Sequence, residues 1–222
     1  MPLRSEIRRR FGPGARAGAP YALAAGLVGV SFGVLSVPVM GAAESVAFSA
    51  IVFAGGSQFA ALAVLADGGG AGTAIVAGIF LNARFVPMGI AFGPSTTGGW
   101  LARALQGQAV VDASWALANR GGGRFDRDFL LGATALAYPA WVGGTLLGVL
   151  VGDRLGSPQS LGLDALFPAF FLGLLMEEGN TRAAAVVALL GAAIALALTP
   201  IAPPGIPILA ASLAVFAGAR LR

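Results

Sequence analysis

Cysteine, histidine and lysine are all absent from this 222-residue chain, and only 11% of its residues are charged. Without Cys and His the chain can form no disulfide, thiol nucleophile, Cys/His zinc site, haem ligand or imidazole proton shuttle. We therefore expect no metal and no cofactor, and proton chemistry would depend on Asp or Glu. A soluble domain carries roughly 25% charged residues. This chain has too little polar surface to cover itself, which excludes an ordinary soluble enzyme and a disordered protein.

Apolar residues make up 57% of the chain, and its mean hydropathy is +0.83. This composition predicts a membrane protein whose surroundings are the lipid bilayer. The 14 cationic residues are all Arg, and many lie at the chain ends and in the segment 120–127. That distribution is typical of membrane orientation, so no nucleic-acid partner is expected. The 34 glycines favour close approach of membrane helices, since packing of small residues holds such helices together.

The hydropathy pattern predicts an all-α, polytopic membrane bundle of about seven or eight transmembrane helices. Residues 1–19 are polar and basic and are expected to form a cytoplasmic tail. Residues 20–222 are expected to form a single transmembrane transport domain. The fourth predicted span contains Arg103, Gln106, Gln108 and Asp112, so an interfacial helix is its alternative. The eight predicted spans are 20–40, 45–66, 71–93, 98–119, 129–152, 162–178, 183–200 and 204–219.

The distribution of Arg favours eight spans over seven. With eight spans and a cytoplasmic N-terminus, eleven Arg lie inside, two lie outside and Arg84 lies within the membrane. Removing the fourth span gives six inside and seven outside. Because cytoplasmic loops carry an excess of Arg, the first count is the better one.

A faint internal repeat suggests two halves, residues 20–119 and 129–222. With a shift of 115 residues, Gly33-Val34-Leu35 aligns with Gly148-Val149-Leu150, and seven of 22 positions are identical. A chain this rich in Gly, Ala and Leu also matches itself by composition alone. Structural repeats with broken helices build many secondary transporters.

The second predicted span contains Gly55, Gly56, Ser57 and Gln58 near its middle. Adjacent glycines weaken a helix, and lipid offers no partner for the Ser and Gln side chains. This pattern favours a broken helix whose free backbone groups and Gln58 bind a polar substrate. The alternative is close helix packing, with Gln58 bonded to a neighbour. Pro168 lies in the corresponding part of the sixth span and marks a second candidate break.

Arg84 lies near the middle of the third span, in Asn82-Ala83-Arg84. A charge at the bilayer centre costs roughly 2.5–3.5 kcal/mol on insertion scales, so such a residue faces a cavity or a partner. Its guanidinium can hold a carboxylate in a bidentate fork. Arg84 is therefore a candidate substrate-binding residue, or else half of a structural ion pair with Asp112. If the fourth span crosses the membrane, Asp112 is a candidate for proton coupling or for binding a substrate ammonium.

Four segments carry a family resemblance: Ser31–Leu35 (SFGVL), Phe53–Phe59 (FAGGSQF), Asn82–Phe85 (NARF) and Leu161–Ala169 (LGLDALFPA). They resemble the AzlC family, the large subunit of AzlC/AzlD-type, BrnF-like branched-chain amino-acid exporters. The resemblance spans most of the chain in order. Two positions depart from it: family members often have Asp-Glu where this chain has Asp112-Ala113, and His where it has Phe85.

The resemblance implies a permease of the bacterial inner membrane that works with a small AzlD-type membrane subunit. It also implies export of valine, leucine, isoleucine or similar apolar amino acids, driven by the proton gradient. On this reading the chain is not an enzyme. Three other classes stay open. A channel would conduct without coupling to a counter-ion. A structural or assembly subunit would tolerate apolar residues in place of Arg84 and Gln58. A lipid-modifying membrane enzyme would need clustered catalytic groups, for which Glu177, Glu178 and Arg182 come nearest.

Overall fold

The computed structural model of the chain describes residues 2–154, 182–202 and 206–214, and single positions between and after them. The described part is helical, as the composition predicts, and its only bridge between extended residues joins Asn119 to Phe125. Most of the predicted span 162–178, including Pro168, lies outside the described residues. The helices are α1 Pro2–Met40, α2 Ala42–Val52, α3 Gly55–Ala66, α4 Ala71–Asn82, α5 Phe85–Phe92, α6 Trp100–Gln108, α7 Asp112–Ala118, α8 Arg127–Val151, α9 Arg182–Leu198 and α10 Ile206–Ser212.

Fewer spans are seen than predicted. Among the described residues, two helices are long and apolar enough to cross a membrane, Ser5–Met40 and Arg127–Val151. Counting α4 and α5 as one bent span gives three. The helix α9 is apolar but has only 17 residues. The all-helical membrane architecture is therefore confirmed, whereas the count of seven or eight spans is not.

The helix α1 continues through the predicted tail. Its 39 residues rise about 58 Å, against a hydrocarbon thickness of about 30 Å. Residues 5–19 are thus helical and extend the first predicted span without a break. Pro13, Pro20 and Pro38 lie inside this helix, and membrane helices tolerate proline better than soluble ones do.

Contacts divide the chain into two compact units, and the predicted repeat halves 20–119 and 129–222 stay a prediction. One comprises Met1–Gly55 and Asn82–Leu155, and the other comprises Gly56–Leu81 and Gly156–Arg222. In the second unit, α3 and α4 approach closely enough that a Cβ on Gly78 would contact the Ser57 carbonyl at 3.7 Å. The helices α9 and α10 also pack together in this unit.

The first unit is organised by a glycine seam between α1 and α8. A Cβ on Gly18 would lie 2.7 Å from the Ala133 Cα, and one on Gly29 would lie 2.5 Å from the Trp141 carbonyl oxygen. The partner helix has matching glycines, so the two backbones touch directly, as small residues permit in membranes. The remaining seam contacts are Gly14 with Phe129, Gly33 with Thr145, Gly132 with Phe11, Gly144 with Gly26 and Gly148 with Val30.

The seam shows that α1 and α8 run in the same direction. Residues early in α1 meet residues early in α8, and later ones meet later ones. The contacts are also reciprocal under the 115-residue shift: Gly33 contacts Thr145, and the shifted pair is Gly148 with Val30. The predicted repeat stays a prediction, and this reciprocity is a structural argument in its favour.

The N-terminal ends of α1 and α8 lie together. The Arg10 Nε donates to the Asp128 carboxylate at 2.9 Å. Asp126 caps α8, since its side chain accepts a hydrogen bond from the Phe129 N–H at 3.0 Å. The Arg-rich N-terminus and the Arg-rich segment 120–127 therefore share one end of the first unit.

This arrangement predicts the result of a labelling experiment, because the chain has no native cysteine. The variants Arg9→Cys and Arg124→Cys are expected to react with a membrane-impermeant maleimide from the same side of the membrane. Ala43→Cys, exposed at the start of α2 and three residues after the C-terminal end of α1, should react from the opposite side. Labelling of intact and lysed cells checks this. Opposite sides for positions 9 and 124 would contradict the parallel packing of α1 and α8.

The predicted fourth span, 98–119, is wrong as one continuous crossing. It consists of α6 and α7, of nine and seven residues, separated by Ala109–Val111. Helices of these lengths rise about 14 and 11 Å, far less than the hydrocarbon thickness. Val111 is extended (φ −125°, ψ 164°) and interrupts the helix.

Both ends of this segment lie near the N-terminal end of α8. Gln106 accepts a hydrogen bond from the Arg127 Nε at 2.6 Å. At the other end, the Asp126 N–H donates to the Ala118 carbonyl at 2.9 Å. Between them, the Ala109 carbonyl accepts from the Thr134 hydroxyl, about two turns into α8. The segment thus enters the unit, turns at Ala109–Val111 and returns to the side from which it came.

Candidate functional site

The chain breaks directly before Gly55. The helix α2 ends at Val52, and Phe53 adopts the left-handed conformation (φ 43°, ψ 47°). This conformation costs a non-glycine residue roughly 1–2 kcal/mol, so surrounding contacts must hold it. Tyr138 of α8 supplies two of them: its ring meets the Phe53 ring edge-on at 5.0 Å, and its hydroxyl donates to the Ala50 carbonyl at 2.8 Å.

The four predicted residues at this break fall in both units. Gly55 closes the sequence range of the first unit and begins α3, whereas Gly56, Ser57 and Gln58 belong to the second unit. Ser57 and Gln58 are buried, and both make contacts. The burial of Gln58 is consistent with both predicted roles, substrate binding and helix packing. Its role therefore stays a prediction.

A second break separates α4 from α5. The helix α4 ends at Asn82, and α5 begins at Phe85, so Arg84 lies in the two-residue gap. Pro87 follows and lacks an N–H donor, which favours a helix interruption here. Arg84 thus lies at a broken helix, and not within a continuous span.

Arg84 pairs with Asp112, the first residue of α7. The Arg84 Nη2 lies 2.9 Å from the Asp112 Oδ2. The guanidinium also lies over the Phe85 ring, 5.2 Å from its centroid. Its Nε is buried and has no acceptor among the described residues. The two side chains are 38% and 36% exposed, so the pair is accessible to a ligand.

The turn between α6 and α7 connects the first two breaks. On one side of it, the Gln108 Nε2 donates to the Ile51 carbonyl at 3.0 Å, at the end of α2. On the other side, Asp112 binds Arg84. The Ser114 hydroxyl stabilises the turn, because it donates to the Ala109 carbonyl at 2.8 Å and accepts from the Val111 N–H at 3.1 Å. Three helix interruptions are therefore held together through Gln108 and Asp112.

Trp141 packs against the first of these breaks. It is 5% exposed, and its ring stacks on Phe32 with centroids 6.3 Å apart. A Cβ on Gly55 would lie 3.0 Å from the Trp141 Cη2, so the indole edge occupies the space that Gly55 leaves. Like the Arg84 Nε, the Trp141 Nε1 is buried and has no acceptor among the described residues.

The structure brings together some of the predicted site residues. Arg84 and Asp112 are in contact, Asn82 ends the helix just before Arg84, and Gly55 lies at the neighbouring break. Pro168 lies outside the described residues. Sequence analysis did not assign a site role to Gln108, Tyr138 or Trp141. Tyr and Trp in apolar segments are commonly interfacial anchors, so the sequence gives no signal that Tyr138 and Trp141 pack at the first helix break.

Comparison with known proteins identifies the family. The family described as AzlC protein matches residues 20–155, more than half of the chain. The chain belongs to the AzlC family. The matched range includes all three helix breaks and both residues of the Arg84–Asp112 pair.

Two relatives of this AzlC-family chain are membrane proteins. It is 30% identical over 164 residues to the inner membrane protein YgaZ of Escherichia coli (strain K12), a match that covers 67% of this chain and 65% of YgaZ. It is 27% identical over 157 residues to an uncharacterized membrane protein of Helicobacter pylori (strain ATCC 700392 / 26695), a match that covers 68% of each. The chain thus spans slightly less than two thirds of the length of YgaZ. No solved structure matches the chain.

Proposed function

We propose that this AzlC-family protein is a subunit of a secondary transporter that exports branched-chain or similar apolar amino acids across the bacterial inner membrane. The observation that carries the proposal is the Arg84–Asp112 pair, held at the junction of three helix interruptions. Charged residues at membrane depth mark substrate and ion pathways. Broken helices mark the binding sites of many secondary transporters.

The pair matches the charges of an amino acid. A zwitterionic amino acid carries a carboxylate and an ammonium on neighbouring atoms, and Arg84 and Asp112 provide the complementary cation and anion. The Arg84 Nε has no acceptor in the part of the chain that the structure describes, so a carboxylate can bind it without displacing a hydrogen bond seen there. Charge-assisted Arg–carboxylate bonds are roughly twice as strong as neutral ones. Opening of the 2.9 Å pair would release Asp112 to bind the ammonium.

Apolar surroundings suit a branched side chain. Aromatic rings border the first break, where Phe53 and Tyr138 meet, and Phe92 and Trp115 belong to the apolar cluster beside α7. The chain has no His, so coupling to the proton gradient would use a carboxylate, and Asp112 is the acid that touches Arg84. A small AzlD-type membrane subunit is proposed as the partner, and the N-terminus is proposed to be cytoplasmic.

Efflux from cells loaded with a valine dipeptide tests this function. The cells would lack their own exporter and would express the chain together with its small subunit. External valine should rise faster than in cells with an empty vector. The same rate in both, with the protein confirmed in the membrane and leucine, isoleucine and methionine also negative, would contradict export of apolar amino acids. A wild-type rate in cells that lack the small subunit would contradict the proposed partnership.

A further inference from the structure

One end of the first unit carries more Arg than its acidic residues can neutralise. The segments 5–16 and 120–128 meet at this end, where Arg10 contacts Asp128. Together the two segments contain seven Arg and three acidic residues. The surplus of positive charge therefore comes from two parts of the chain that the fold brings together.

The two aspartates at this end are already paired. The Asp128 Oδ2 accepts from the Arg10 Nε at 2.9 Å, and its Oδ1 accepts from the Arg127 Nη1 at 2.8 Å. Asp126 pairs with the Arg120 Nη2 at 3.2 Å and also caps α8. The arginines at this end that are exposed and form no ion pair within the described part of the chain are Arg8, Arg9, Arg16 and Arg124.

The helix α6 is attached to the same end by one side chain. Gln106 is 7% exposed, and its Oε1 accepts from the Arg127 Nε at 2.6 Å. Its Nε2 donates to the carbonyls of Thr97 and Ala102, both at 2.8 Å. Every other residue of α6 is exposed. The large apolar side chains on this helix are Trp100, Leu101 and Leu105, which are 81%, 56% and 66% exposed.

The contact with Arg127 places α6 at the level of the lipid headgroups. The 25 residues of α8 rise about 37 Å, slightly more than the hydrocarbon thickness of about 30 Å, so both ends reach the headgroup regions. Arg127 begins α8, and α6 lies beside it. A helix with an exposed apolar face and a Trp is typical of the membrane–water interface.

We propose that α6 and the four unpaired arginines form one binding surface for the headgroups of anionic phospholipids. The apolar residues of α6 enter the interface, and the arginines select the charge of the lipid. A guanidinium binds a phosphate through two parallel hydrogen bonds, and clusters of Arg next to a membrane helix attract anionic lipids. This inference goes beyond the proposed export function and does not depend on it.

A fluorescent label on α6 tests the surface, because the chain has no native cysteine. Leu105→Cys is labelled and reconstituted in vesicles of mixed phosphatidylcholine and phosphatidylglycerol, with a nitroxide quencher near the headgroup of one lipid or the other. Quenching by phosphatidylglycerol should exceed quenching by phosphatidylcholine. Leu147→Cys is the matched control, since Leu147 is 52% exposed near the other end of α8. Its label should be quenched equally by both lipids.

Replacement of the arginines tests which charges select the lipid. An Arg near an anionic surface adds about fivefold to binding, so the triple variant Arg9→Gln/Arg16→Gln/Arg124→Gln should lose most of the difference between the two lipids. Arg154→Gln should keep it, because Arg154 is exposed beyond the C-terminal end of α8. About 1 M salt should also remove the difference from the protein with all its arginines, since the Debye length falls to about 3 Å.

Three results would overturn the inference. Equal quenching by both lipids at position 105 would show that the surface does not select anionic headgroups. Quenching by neither lipid would show that α6 faces water or another protein. A preference for phosphatidylglycerol that survives both the triple substitution and high salt would show that these arginines do not cause it. None of these results bears on valine export, which is measured separately.

Discussion

Arg84→Gln is expected to lower valine export to a tenth of the wild-type rate or less. The substitution removes the cation that binds the substrate carboxylate, and hydrogen bonds to charged groups contribute roughly 1.5–3 kcal/mol, or about 10- to 100-fold. Arg84→Lys should also fail to restore the rate, since an ammonium lacks the planar fork that includes the free Nε. Initial rates of efflux from dipeptide-loaded cells measure both effects.

Arg103→Gln is the matched control for this loss. Arg103 lies on α6 within the same unit, and its side chain donates to the Gly93 carbonyl at 3.2 Å. Its replacement should leave export near the wild-type rate. Wild-type export by Arg84→Gln, at equal amounts of protein in the membrane, would remove Arg84 from the substrate path.

Gly148→Leu is expected to destabilise the protein more than any surface substitution. A side chain at position 148 would collide with the backbone of α1 at Val30, and a backbone cannot rotate aside as a side chain can. Overpacking costs roughly 1–3 kcal/mol, and backbone collision puts this case at the upper end. For a chain of this size, about 3 kcal/mol corresponds to a fall of roughly 6–12 °C in Tm. Thermal unfolding in detergent, followed by light scattering or circular dichroism, measures the shift.

Gly143→Leu tests whether the position, and not the loss of a glycine, causes the effect. Gly143 lies on the same helix, is exposed, and has no atom within 4 Å of its Cβ position. Its replacement should change the Tm by no more than about 2 °C, since a surface substitution stays within about 0.5 kcal/mol. Equal shifts for positions 143 and 148 would contradict the close approach of α1 and α8.

Composition and local spacing predicted the parts of this fold that depend on local chemistry. The shortage of charge predicted helices in a membrane, and the glycines predicted close packing, which Gly18 and Gly29 show at the α1–α8 seam. The Gly55-Gly56 pair indicated a weakened helix, and the structure interrupts the chain at Phe53, two residues earlier. In each case the cause lies within a few residues of the effect.

The segment 98–119 shows why hydropathy alone was not sufficient. The average polarity of this segment permits a membrane crossing. The count of Arg residues on each side of the membrane also favoured a crossing. Its path is decided instead by single hydrogen bonds over long sequence separations, such as Gln106 with Arg127 and Thr134 with the Ala109 carbonyl. The counting argument still placed the N-terminus and segment 120–127 on one side, which the contact between Arg10 and Asp128 also requires.

The candidate site was predicted in part. Arg84 and Asp112 stood out because charges are rare in apolar runs, and their pairing was one of two open alternatives. Gln108, Tyr138 and Trp141 could not be found in this way. Their roles depend on which carbonyl or glycine faces them, as Ile51 faces Gln108 and Gly55 faces Trp141.

Valine counterflow into proteoliposomes that contain the double variant Arg84→Gln/Asp112→Asn is the most direct test. Replacing both partners of an ion pair that serves stability alone is often nearly neutral, whereas removing one partner is not. A substrate-binding pair should therefore leave the double variant as inactive as Arg84→Gln, although it folds and elutes as the wild type does. Counterflow by the double variant at the wild-type rate would contradict substrate binding by this pair and would show that its role is structural.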